Sequence, residues 1–105
     1  MIVRMWRGYA SPDQAGAYPE HFRNQVLGDL RQVDGFLGAD LVQRETGGMI
    51  ELTVLTRWTS MDAVAAFAGD DPSRAVVEPG AVAALDHYDE TVIHHEVVVH
   101  EPPPD

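Results

Sequence analysis

No cysteine and no lysine occur in this sequence of 105 residues. The first absence excludes disulfides, thiolate nucleophiles, iron–sulfur clusters and cysteine-held zinc. The second excludes Schiff-base chemistry on a lysine amine. Positive charge is scarce as well. Seven arginines face 17 acidic residues, for a formal net charge of −10. That balance disfavours nucleic acid and anionic membrane surfaces as partners. No apolar run approaches the roughly 18–20 residues of a membrane span. The opening Met1-Ile-Val-Arg-Met-Trp-Arg carries charge within a strand-like run and lacks the apolar core of a signal peptide. A soluble, cytoplasmic chain is the expectation. Hydrophobic residues make up 45%, a globular composition sufficient for one core. One domain over residues 1–100 is expected, with 101–105 as a flexible proline-rich tail.

What is present is hydrophobic periodicity, in an order that specifies a fold. Ile2 to Tyr9 reads as a strand. Ser11-Pro12-Asp13-Gln14 offers a cap, a first-turn proline and a capping-box partner. Tyr18, Phe22, Val26, Leu30 and Val33 then recur at spacings of three and four, one stripe of an amphipathic helix. Pro19 predicts a kink or a fresh start in its first turns. Phe36 to Glu45 is a second strand. Thr46-Gly47-Gly48 is a hairpin signal, and Met49 to Trp58 a third strand with clean alternation. Thr59 or Ser60 caps a short helix that Gly69 ends. One or two helical turns are expected around residues 73–77 and 79–85. His87 to Val99 reads as a long last strand.

Strand, helix, strand, strand, helix, strand is the split βαβ, or ferredoxin-like, arrangement. It implies an α+β protomer with a four-stranded antiparallel sheet. Two helices cover one sheet face only, yet strands one and four are apolar on both faces. An uncovered apolar face predicts pairing of two copies through their sheets, a homodimer.

In that topology the end of strand three and the end of strand four both meet the start of strand one. Trp58, a first-strand arginine and one of His94 and His95 are thereby brought toward one end of the sheet. Either Arg4 or Arg7 faces that space. An aromatic wall, a cation and a titrating group around one cavity suit a small aromatic ligand. A lone tryptophan at a strand end is more often core, and a histidine there is more often a packed contact. His94 and His95 point to opposite faces, and His87 lies about 26 Å from His95 along a strand, so no metal site is expected. Nucleotide loops and a serine nucleophile elbow are absent.

The opening I-V-R-M-W-R-G, the segment L-T-R-W-T-S-M-D-A-V-A-A-F-A-G-D-D with Pro79 after it, and the ending V-I-H-H-E-V-V resemble the antibiotic biosynthesis monooxygenase family of dimeric α/β-barrel proteins. The resemblance implies a ferredoxin-like protomer, a dimeric barrel and a pocket between sheet and helices. It implies either cofactor-independent oxygenation of phenols or haem degradation. In the polyketide-oxidising type a strand-three Trp works with an Asn earlier on that strand and a helix Tyr. Trp58 matches the first; Val54 and Val64 occupy the other two positions. The haem-degrading positions hold Trp6 or Arg7, Phe67 and approximately Val77. The leading reading is a monooxygenase-like protein needing no cofactor, acting on a small or polycyclic phenolic substrate. His94 would be its base, and Trp58, Phe67, Arg4 and Trp6 would bind the substrate. The alternatives are a non-catalytic ligand-binding or structural dimer, and after it haem binding.

Overall fold

A computed structural model describes every residue from Met1 to Asp105. One antiparallel sheet forms from β1 (Ile2–Ala10), β2 (Phe36–Thr46), β3 (Met49–Trp58), β4 (His87–Tyr88) and β5 (Ile93–Glu96). Its order is β2-β3-β1-β4, with β5 also on β1, so the last two strands are successive pieces of one edge. Helices α1 (Ala17–His21), α2 (Leu27–Arg31), α3 (Met61–Ala68) and α4 (Pro79–Ala84) complete the chain. This is the ferredoxin-like α+β arrangement. No helix is long and apolar enough to cross a membrane.

Alternation on the two central strands decides which side chains enter the core. Arg4, Trp6 and Ala10 of β1 are buried on the helix-covered face, as are Leu52, Val54, Thr56 and Trp58 of β3. The register pairs Ile2 with Trp58, Arg4 with Thr56 and Trp6 with Val54. Arg4 is therefore the first-strand arginine that points inward. Arg7 lies on the opposite face, where it meets Asp89 at 3.1 Å.

The first helical region departs from its expected form. Pro12–Gln14 makes one 3-10 turn, and Ser11 does not cap it with its side chain. The Ser11 amide donates instead to Asp86 at 2.7 Å. Pro19 sits in the first turn of α1, where a missing N–H costs nothing, and causes no break. The irregularity lies later, in the π-helical stretch Phe22–Val26 that joins α1 to α2. Such wide turns are frequent at functional sites. Tyr18, Phe22 and Leu30 of the expected stripe are buried.

The last strand also differs. Between β4 and β5 the chain leaves β1 and pairs with residues 73–75. Ala75 donates to the Glu90 carbonyl at 2.9 Å, and Val92 donates to the Ser73 carbonyl at 2.8 Å. The strand signal was real, but its middle takes another partner. Residues 73–77 accordingly form no helical turn, Arg74 making a single antiparallel bridge to Thr91, while Pro79–Ala84 is helical. On the short α3, Ser60 caps as its sequence suggests, accepting from the Ala63 amide at 3.3 Å. The tight link from α2 to β2 depends on Gly35, at φ +92°, where a Cβ would lie 2.6 Å from both the Ala63 Cβ and the Thr59 Oγ1.

Candidate active site

A cavity of about 530 Å³, its open mouth included, lies between the sheet and the helical layer. Arg4, Trp6, Val54 and Thr56 form its floor, Tyr18, His21 and Val26 its roof, and Phe67 and Glu78 its flanks. Alternation places the floor residues, because positions two apart on paired strands share a face. The helical stripe supplies the roof.

Arg4 is the dominant charge. Its side chain belongs to a residue only 5% exposed, and no carboxylate pairs with it. Nη1 donates to the Pro72 carbonyl and faces His94 Nε2 at 2.9 Å; Nη2 donates to the Arg74 carbonyl at 3.0 Å. The guanidinium carbon stands 5.9 Å from the Phe67 ring centroid, within cation–π range. Burial lowers its pKa to about 10, so it still carries its charge at neutral pH. A buried cation held by neutral groups alone keeps most of its field for whatever enters the cavity.

His94 touches the site through Arg4. A guanidinium only donates, so Nε2 accepts and the ring proton sits on Nδ1. Burial, then the charges of Arg4 and His95, hold the imidazole below the ordinary histidine value. Trp58 is fully enclosed and donates to Thr56 Oγ1 at 2.8 Å. Its ring packs on Phe36 and Phe67, both with centroids 5.4 Å away. Of the residues singled out from sequence, Arg4, Trp6 and Phe67 line the cavity. His94 and Trp58 lie one contact behind it, against Arg4 and Phe67 respectively.

Three polar wall residues escaped the sequence reading: Tyr18, His21 and Glu78. Tyr18 and His21 were legible only as members of an amphipathic helix. Glu78 precedes a Pro-Gly pair in irregular chain, where nothing in the pattern marks it. The Tyr18 phenol is pushed well above its usual value by burial and by the charge of Glu78. Glu78 is itself raised, by burial and by Asp29. His21 Nε2 is enclosed without a hydrogen-bond partner. No group of histidines and carboxylates has metal-binding spacing.

The family model described as "Antibiotic biosynthesis monooxygenase" matches residues 1–79. The chain belongs to that family. Solved structures agree on the fold. A protein from Bacillus cereus, described as a candidate antibiotic biosynthesis monooxygenase, aligns at 14% identity and TM-score 0.70, over 99% of this chain and 97% of its own. One of the same description from Deinococcus radiodurans aligns at 16% identity and TM-score 0.66, over 100% of both. The heme-degrader MhuD from Mycobacterium tuberculosis, with two hemes bound in its active site, aligns at 24% identity and TM-score 0.58, over 97% of this chain and all of its own. No curated protein matches the sequence.

Family membership sharpens the reading of two valines. Val54, at the position of the oxygenase asparagine, lies on the cavity floor, and Val64 is wholly buried in the core. Neither can hydrogen-bond a substrate. Haem does not fit the donors at the cavity. Tyr18 is held in its neutral form, His94 is engaged by Arg4, and the Nδ1–Cε1 edge of His21 packs where a Cβ at Gly80 would stand, 2.6 Å from it, while Nε2 is enclosed.

Proposed function

We propose that this member of the antibiotic biosynthesis monooxygenase family binds a small aromatic anion in the Arg4 cavity and oxygenates it without a cofactor. One observation carries the reading: a buried guanidinium with no carboxylate partner, on the floor of a cavity lined mostly by aromatic and aliphatic side chains. A phenolate or carboxylate oxygen would take the place that a salt-bridging acid has elsewhere. Trp6 and Phe67 would hold the ring, with Trp58 fixing Phe67 from behind. When Arg4 turns toward the ligand, His94 loses its donor and Nε2 becomes free to take a proton. A phenol that gives its O–H proton to His94 becomes the electron-rich phenolate that Arg4 holds, and that phenolate is the species able to react with O₂.

The test uses 2-naphthoate and 1-naphthol as probes, by thermal shift and calorimetry, followed by oxygen uptake. Binding of the anion that is lost in Arg4→Met supports the site. Absence of binding for both refutes it. The second reading, ligand binding without catalysis, draws on Val54. It predicts binding with no oxygen uptake above the uncatalysed rate.

The same reading includes a homodimer through the outer sheet face. That face carries Val3, Met5, Leu55 and Ile93, the last 47% exposed. A light-scattering mass of one chain at micromolar concentration would remove the dimer.

A further inference from the structure

A second hollow lies on the outer side of the helical layer, between α1 and α4. It measures about 750 Å³, its open side included, and Ala17, Glu20 and Asn24 face Gly80, Ala83 and Ala84 across it. His21 is the one residue that borders both this groove and the Arg4 cavity. Its imidazole is therefore the partition between them.

That partition is loosely held. On its inner side Nε2 is the one enclosed side-chain nitrogen or oxygen in the chain without a hydrogen-bond partner. In water the same atom would be hydrogen-bonded, so the enclosed position is raised in energy. On its outer side the ring meets a glycine. A Cβ at Gly80 would stand 2.6 Å from both Nδ1 and Cε1, so the ring fits inward only because residue 80 has no side chain. The groove beyond is walled by small residues, with the Glu20 carboxylate and the Asn24 and Gln25 amides along it. A ring turned outward exchanges an unmet nitrogen for water and these groups. Packing on the Tyr18 ring, 5.8 Å between centroids, favours the inward position. The backbone is irregular at the same place: α1 ends at His21, and the π-helical stretch begins at the next residue.

We infer that His21 is a swinging gate. Turned inward, its ring closes the cavity wall; turned outward, it opens a passage from the cavity to the α1–α4 groove. The passage has the size of the ring that vacates it, so it admits small neutral molecules, dioxygen and water among them, and excludes a polycyclic one. Apolar packing on one side and an unmet hydrogen bond on the other oppose each other, which is the condition for two populated positions. The inference concerns a route through the helical layer and does not depend on which ligand the Arg4 cavity holds.

Acrylamide, a neutral quencher close to imidazole in size, reads the gate through Trp6, which lines the cavity and is only 9% exposed. Trp58, the other tryptophan, is replaced by phenylalanine in every protein compared, so that Trp6 alone emits. Quenching is followed by fluorescence lifetime. A gate open for about a tenth of the time or less throttles collisions, so His21→Ala is expected to raise the quenching rate constant about threefold or more. Gly80→Ala is expected to raise it as well, because the new Cβ denies the ring its inward position. Gly80 stands exposed in the first turn of α4 without a positive φ, so alanine suits the backbone there and general loosening is not the cause of a rise. His21→Leu is expected to lower the rate constant about twofold or more, since leucine fills the same place and gains nothing by turning to water. An unchanged rate in His21→Ala or in Gly80→Ala would overturn the partition. Equal rates with histidine and leucine at position 21 would overturn the swing. None of these outcomes bears on the Arg4 anion site, which the naphthoate titrations test separately.

Discussion

Replacing Arg4 by methionine separates what the residue does for folding from what it does for a ligand. Its three contacts, to the Pro72 and Arg74 carbonyls and to His94, are hydrogen bonds from a charged donor. Such bonds are worth roughly 1.5–3 kcal/mol each, so the gross value of the three is about 4.5–9 kcal/mol. Burial works against them. The fall of the Arg4 pKa from 12.5 to about 10 corresponds to about 3 kcal/mol of desolvation. Methionine removes that cost together with the contacts, keeps much of the stem's packing, and leaves three acceptors near an open cavity where water reaches them. The expected net loss is about 1–3 kcal/mol, read as the shift in urea midpoint times the m-value.

Anion binding should respond much more. A ligand carboxylate on this guanidinium makes one or two charge-assisted bonds and displaces the water that otherwise reaches it through the cavity mouth. Losing them costs about 2–4 kcal/mol, a rise in Kd of roughly 30- to 1000-fold for 2-naphthoate. A protein weakened by 1–3 kcal/mol out of an ordinary 5–15 remains folded, so calorimetry reads the site and not the fold. The reverse result would refute the reasoning: Kd altered less than about threefold while stability falls by more than about 4 kcal/mol. Arg4 would then be a structural clamp for the 72–74 segment.

Trp58 should behave in the opposite way. Trp58→Ala is expected to lose about 3–5 kcal/mol by denaturation, because its ring is fully buried between two phenylalanines, whereas Trp58→Phe should leave the Kd for 2-naphthoate within about threefold. His94 makes stability depend on pH. Its pKa is lowered on folding, so the unfolded chain takes the proton first. The stabilisation is complete above about pH 6.5 and is lost as pH falls through the lower folded value. The Tm of the wild type should therefore drop more steeply from pH 7.5 to 5 than that of His94→Gln, and identical slopes would contradict the Arg4–His94 contact. Gly35→Ala should cost about 2–3 kcal/mol, since it combines φ +92° with a Cβ pressed on Ala63, whereas Gly16→Ala, with φ −78° and open space around it, should be neutral or stabilising in the same melt.

The strand framework was legible because β1 and β3 carry strong alternation, and the parity of their pairing decides between Arg4 and Arg7 as soon as Ile2 is set against Trp58. The sequence left that choice open, since β1 is apolar on both faces. The long final strand was misread for a physical reason. Residues 89–92 lie inside a run that reads as one strand, but they pair with the 73–75 segment, and no periodicity reveals a partner. The site divides along the same line. Aromatic residues on strands were found by pattern. Tyr18 sits on an apolar stripe where pattern reads it as core, and Glu78 gains meaning only from the fold that brings it to the same cavity.

Trp58 shows how far a family pattern carries chemistry. Its corner position is the most recognisable part of the sequence, and its indole is bound to Thr56 beneath Phe67, out of reach of the cavity. A working tryptophan in a related oxygenase needs a polar partner on the same strand, and Val54 cannot be one. In this chain the polar groups at the cavity lie on other elements. The cation is on β1, its acceptor on β5, and the phenol and carboxylate on α1 and just before α4. Within one fold, where the polar groups of a cavity stand decides what it can select, so family membership alone does not fix the ligand. The discriminating measurement therefore concerns Arg4, the buried cation that the cavity presents, and not the tryptophan corner between strand and helix.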